Sequence, residues 1–242
     1  METSKLSQLR PICILGMHRS GTSCLTGTLE SHGLHLGEVN TFAKFNQKGN
    51  RESQEVMRIN NDLLALNGGA WDLPPTELVW DDALRERRDG VIRSYAGNRR
   101  WGFKDPRCVF TLPFWREALP GMVIVGTFRH PYAVARSLLS RGEKLEPKTP
   151  PLLLWKQHNA KILQYHEAFG FPLVCFDWPA AKYAKAVTYI ADSLGLVPAQ
   201  SERVEFYDPN LRHADIDPAE AGIAEPELAE MYESLSRRSL KL

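Results

Sequence analysis

The segment Gly16-Met17-His18-Arg19-Ser20-Gly21-Thr22-Ser23 gathers two glycines, a fixed cation and three hydroxyl residues. It follows the apolar run 12–15 and precedes a helical pattern carrying Leu25, Thr28 and Leu29. Small residues between a strand and a helix let backbone N–H groups converge on an anion at the helix N-terminus, where the helix dipole adds positive potential. The GxxxxG spacing is the frame of a phosphate-binding loop. A nucleoside triphosphatase would continue with Lys and then Ser or Thr; here Thr22 stands where the Lys should be, and Arg19 lies inside the loop. Without that Lys the contact to β- and γ-phosphates is lost, so the pattern favours an anion site over ATP chemistry.

Other charged residues stand at strand ends. Arg129 closes the apolar run 122–128, Pro131 suits the first position of a helix, and Ser137 lies two turns along it. Lys104, Asp105 and Arg107 follow the aromatic residues Trp101 and Phe103. Read locally, these three are either site residues or an ion-pair cluster capping the next helix. Glu52 heads a helical pattern, and Glu38 sits in the polar stretch before it.

The elements that must position these residues are an alternation of strands and helices. Apolar runs at 11–16, 101–104, 122–128 and 172–176 read as strands, and the clearest helical patterns are 22–33, 53–66, 81–96, 131–141, 151–169 and 179–194, with a last polar helix from about Pro226. Such alternation predicts an α/β fold with a mainly parallel sheet covered on both faces, and ligands gather at the carboxyl ends of its strands. The stretches 39–53 and 140–151 read as loops able to wall or cover a site.

The 242 residues, 43% of them apolar, suffice for one domain spanning 1–242, with about ten flexible residues at its start. A net charge of +1 excludes a strong overall field while leaving room for a local basic site, and no nucleic-acid partner is expected. No apolar run is long enough for a membrane span, and the first residues lack a secretory core, so the expected address is the cytoplasm. Cys13, Cys24, Cys108 and Cys175 have no CxxC spacing and read as reduced thiols, and no spacing predicts a metal site.

Arg19-Ser20-Gly21-Thr22-Ser23 resembles the first motif of the sulfotransferases that use 3′-phosphoadenosine 5′-phosphosulfate (PAPS), and GTFRHPYAVARSL, 126–138, resembles their second. FKDPR, LLLWKQHN and DPNLRH are similar to segments of a bacterial branch of the family whose loop reads GMHRSGTS. The resemblance implies a P-loop NTPase-like three-layer fold and transfer of a sulfuryl group from PAPS to an acceptor hydroxyl, with adenosine 3′,5′-bisphosphate (PAP) as product. The branch is associated with polysaccharide modification, which makes a carbohydrate the leading acceptor. It implies that His18, Arg19, Ser20, Gly21, Thr22 and Ser23 hold the 5′-phosphosulfate, and Arg129 and Ser137 the 3′-phosphate. Arg212, in the later LRH segment, could close over that phosphate. Arg19 stands where many relatives carry a catalytic Lys, and Lys104 could hold the sulfuryl oxygens. The His that cytosolic relatives carry after this Lys is replaced by Asp105-Pro106-Arg107. Glu52 is the first choice of general base, with Glu38, His18 and Asp105 as alternatives. Phe176 and Trp178 could platform an adenine but read as core residues. The other functions compatible with these residues are a P-loop kinase-like phosphotransferase and a non-catalytic nucleotide-binding relative.

Overall fold

The computed structural model describes residues 10–43, 46–95, 97–98, 100–140, 142, 146–197, 206 and 222–242. Four strands, β1 (Ile12–Leu15), β2 (Gly102–Lys104), β3 (Val123–Phe128) and β4 (Leu173–Cys175), form a sheet of order β2-β1-β3-β4 in which every pairing is parallel. Ile12 registers with Gly102 on one side and Val123 on the other, and Gly126 with Leu173. Parallel strands need crossovers, which here are helical: α1 (Thr22–Ser31), α2 (Gln54–Leu66), α3 (Asp82–Ser94), α4 (Cys108–Ala118), α5 (Pro131–Leu139) and α6 (Pro151–Phe169); α7 (Ala180–Ser193) and α8 (Pro226–Arg238) follow the last strand.

Strand β1 shows why the run ICIL is apolar throughout. Cys13 and Leu15 pack into a large cluster with Ile59 and Leu63 of α2, Trp115 of α4, Leu138 of α5 and Trp155 of α6. Ile12 and Ile14 point the other way, to Leu25 and Leu29 of α1 and Val187 and Ile190 of α7. A two-residue period thus serves two buried faces, and the molecule is a helix–sheet–helix sandwich. None of its described helices is long and apolar enough to cross a membrane.

The four expected strands and the seven expected helices are all present, with the ends of the ten whose ranges were given lying within two residues of expectation. Helix α4 is the addition. Cys108, Val109, Phe110, Thr111, Leu112, Phe114 and Trp115 are all buried, so the helix is apolar around most of its circumference and shows no amphipathic period. Pro113 inside it further disguises a helix, because proline removes a donor and usually breaks the pattern. Asn60 of α2 ties α4 in place, accepting from the Thr111 hydroxyl at 2.8 Å and the Trp115 indole N–H at 2.9 Å. The expected flexible start falls mostly on residues 1–9, outside the described residues, and the four cysteines are free thiols.

Candidate functional site

The loop after β1 is built for close approach. A Cβ on Gly16 would lie 2.6 Å from Thr22 Cγ2 and 2.8 Å from both Thr127 Cγ2 and Thr127 O, so only glycine fits between the strand end and α1. Gly21, at φ 82°, caps α1 with no side-chain hydrogen bond to the free N–H groups of the first turn. Arg19 is held in the same left-handed region at φ 67°, which costs a non-glycine residue roughly 1–2 kcal/mol. Its neighbours constrain it: Arg19 Nε donates to Ser137 Oγ at 2.8 Å, and the Thr127 hydroxyl donates to the carbonyl of Ser20 at 3.0 Å. Ser20 Oγ is fully buried with no hydrogen-bond partner. A buried, unsatisfied hydroxyl costs about 1–3 kcal/mol, and an anion in the loop would relieve that cost.

On the β3 side, Arg129 is 3% exposed and donates from Nε to Asp177 Oδ1 at 3.1 Å, while Asp177 Oδ2 accepts the His130 N–H at 2.7 Å. Asp177 therefore fixes both the guanidinium and the start of α5. Arg129 Nη1 reaches the Arg19 carbonyl at 3.5 Å, and its guanidinium carbon lies 5.2 Å from the centre of the Phe176 ring. Phe176 lies against the loop, since a Cβ on Gly21 would come within 2.2 Å of its ring. Trp178 packs between the two core clusters with the Lys182 ammonium 4.2 Å from its ring centre.

On the β2 side, Lys104 is 1% exposed and donates to Glu52 Oε1 at 2.6 Å and, at 3.4 Å, to Ser23 Oγ. A buried ammonium is tolerable only when paired, and Glu52 provides the pair. Asp105 is fully buried; its Oδ1 accepts both the backbone N–H and the guanidinium of Arg107 at 2.9 Å, the arrangement of a local cluster at the start of α4. Asp105 Oδ2 has no partner. Glu38 is exposed and lines a cleft of about 530 Å³ with Ser53, Glu55, Arg87 and Tyr95. The structure thus brings Arg19, Ser20, Gly21, Thr22, Ser23, Lys104, Glu52, Arg129 and Ser137 around one loop and turns Glu38 to a separate cleft. Arg212 lies outside the described residues.

A glycine-framed loop between two strand-end cations suits a ligand with two anionic groups, and a family comparison decides which kind of protein carries it. The family model described as Sulfotransferase family matches residues 11–173. The chain belongs to the sulfotransferase family. In fold this sulfotransferase is similar to the Sulfotransferase Domain from the Synechococcus PCC 7002 Olefin Synthase, with TM-score 0.52 and 20% identity over 94% of this chain and 95% of that one. It is equally similar to the Sulfotransferase Domain from the Curacin Biosynthetic Pathway, with TM-score 0.52 and 19% identity over 97% and 99%. No curated protein matches the sequence significantly. Both solved domains support the P-loop-like, all-parallel α/β fold described above.

Several residues that shape the candidate site were not singled out by the sequence, although Thr127 and His158 fall within the family-like segments 126–138 and 152–159. Thr127 is a buried hydroxyl within β3, detectable only as a polar residue in an apolar run, and Asp177 is one acid among many. His158 of α6 lies with its ring 6.2 Å from that of His18 and 4.5 Å from Phe110. Its Nδ1 is 2.8 Å from the Leu154 carbonyl and must donate to it, which leaves Nε2 as a buried acceptor without a partner. Burial pushes the His158 pKa down to about 4, against the partial support of that carbonyl. The unfolded chain then binds a proton that the folded one refuses, so this group's stability contribution is present above pH 6.5 and is lost as pH falls towards 4. We expect thermal melts of His158→Phe to lose about 2–3 kcal/mol less than the wild type between pH 7 and pH 4; parallel loss in both would refute the assignment.

Proposed function

We propose that this sulfotransferase moves the sulfuryl group of PAPS to a hydroxyl of a small-molecule or glycan acceptor by in-line displacement. The observation that carries the reading is the 2.8 Å bond from Arg19 to Ser137. It joins the N-terminus of α1, suited to a phosphosulfate, to the Arg129 end, suited to a second phosphate. The fit rests on the unpartnered Ser20 hydroxyl, the uncapped first turn of α1 and the fork of Arg129.

In the proposed mechanism Thr22, Ser23 and the α1 N–H groups hold the 5′-phosphosulfate, with Ser20 and His18 at the loop, and Arg129 with Ser137 holds the 3′-phosphate. Arg19 turns from Ser137 to the bridging oxygen, where its fork stabilises charge developing on the departing phosphate without giving up a proton. Lys104 faces the sulfuryl oxygens. The acceptor oxygen attacks sulfur, the bond from sulfur to the bridging oxygen breaks, PAP departs, and the acceptor proton passes to Glu52. Three cations already oppose the donor's charge, so the scheme requires no metal. Asp105 acts through Arg107 and the start of α4, as a positioning residue.

A carbohydrate hydroxyl is the acceptor to test first, because the GMHRSGTS loop and the LLLWKQHN segment resemble the branch associated with polysaccharides. Incubation with radiolabelled PAPS and a polysaccharide panel should place label in a glycan with one PAP formed per label transferred. Label confined to phenolic or lipid acceptors would move the acceptor to another class, and transfer from labelled ATP instead would overturn the donor.

A further inference from the structure

Residues 67–80 connect α2 to α3 without a helix or strand, yet they are pinned. Asn67 Nδ2 donates to the Val79 carbonyl and Val79 N–H donates to Asn67 Oδ1, both at 2.8 Å. A tight backbone pair between Ala70 and Leu73, at 2.8 and 3.2 Å, forms the tip. Gly69 permits it, since a Cβ there would lie 2.6 Å from Pro75 Cδ and 2.8 Å from the Leu73 carbonyl. The tip residues then diverge. Leu73 is 47% exposed, whereas Asp72 is 6% exposed and accepts Lys148 N–H at Oδ2, 2.9 Å, and Thr149 N–H at its carbonyl, 3.3 Å. The half-buried Trp71 ring lies 4.7 Å from the ring of His18, the residue before Arg19.

Ordering such a segment costs conformational entropy, and the apolar Leu73 gains little burial from it. What the tip achieves is the placement of Trp71 beside the phosphate loop. His158 and Phe110 continue from His18 on the same flank, and burial keeps His158 neutral. Trp71, His158 and Phe110 thus offer an uncharged flank around His18, the residue before Arg19 in the loop. A bound, activated sulfuryl group is exposed to a competing reaction: water oxygen attacks sulfur, the bond to the bridging oxygen breaks, and sulfate, PAP and two protons result. Excluding water from that position is a requirement of productive transfer.

We propose that Trp71, latched by Asp72 to residues 148 and 149, is the wall that keeps water from the sulfuryl group. The assignment rests on the PAPS reading above. It is tested by acceptor-free sulfate release from radiolabelled PAPS in the wild type, Trp71→Ala, Trp71→Phe and Asp72→Ala, each with its calorimetric affinity for PAP. Both alanine variants should hydrolyse PAPS about tenfold faster, with PAP affinity within about threefold of wild type and Trp71→Phe close to wild type. If Trp71→Ala fails to fold, Asp72→Ala, which removes the side-chain half of the latch to Lys148 and keeps the backbone bond to Thr149, carries the test. Hydrolysis unchanged or slowed in the folded alanine variants, with PAP still bound, overturns the wall and leaves the donor assignment standing. Failure of the wild type to bind PAP overturns the donor assignment itself.

Discussion

Arg129→Ala is expected to weaken PAP binding about a hundredfold, roughly 3 kcal/mol, because it removes the buried cation that, in the proposed donor site, would make charge-assisted bonds to a phosphate. Arg129 is 3% exposed, and its pairing with Asp177 orients the fork before any ligand arrives. Removal also strands Asp177, although the His130 N–H still binds its second oxygen at 2.7 Å and limits the damage to α5. Ser137→Ala should act in the same direction by a smaller factor, since a neutral hydroxyl is lost. Calorimetric titration with PAP reads both. An Arg129→Ala protein that folds and keeps wild-type affinity would remove this residue from the donor site.

Glu52→Gln is expected to lower kcat by about 10²–10³ while PAP affinity stays within about threefold, the pattern of a lost general base. The substitution separates two roles. If Glu52 serves only as counter-ion to Lys104, the Gln amide oxygen still accepts from the ammonium, now 2.6 Å from the carboxylate, and the lost charge should lower stability while the turnover of the folded protein stays close to wild type. If it receives the acceptor proton, an amide cannot replace it. Single-turnover rates with saturating donor distinguish the two, and an unchanged rate retires Glu52 as the base.

The contrast between Glu52 and Glu38 shows where the sequence ceases to be informative. Both lie in or beside one polar stretch, and spacing along the chain gives no preference between them. In the fold that stretch closes on itself, with Asn40 N–H donating to the Glu52 carbonyl at 3.1 Å and Arg51 N–H to the Asn40 carbonyl at 3.0 Å. Glu52 turns in to Lys104 and Glu38 turns out to its cleft. Such a choice is made by tertiary pairing, which local pattern does not encode. The strand-to-helix turn at 16–23 was legible for the opposite reason: its glycines answer to local geometry, and its helix begins at once. The position of Arg129 at a strand end was legible too, and in parallel sheets ligands gather at such ends, which makes it a candidate. Asp177 and Trp71 were not, since each matters only through a partner more than forty residues away. Helix α4 was hidden by its burial on nearly every side, which erases the amphipathic period on which the reading of helices depends.

The most direct test of the donor site is calorimetric titration of the purified protein with PAP, beside ATP with Mg²⁺. The account predicts tight binding of PAP without added metal, weakened about a hundredfold by Arg129→Ala, and far weaker binding of ATP, which lacks the 3′-phosphate. Binding of ATP with Mg²⁺ and none of PAP would contradict it, and the Arg19 loop would then belong to a different phosphate chemistry.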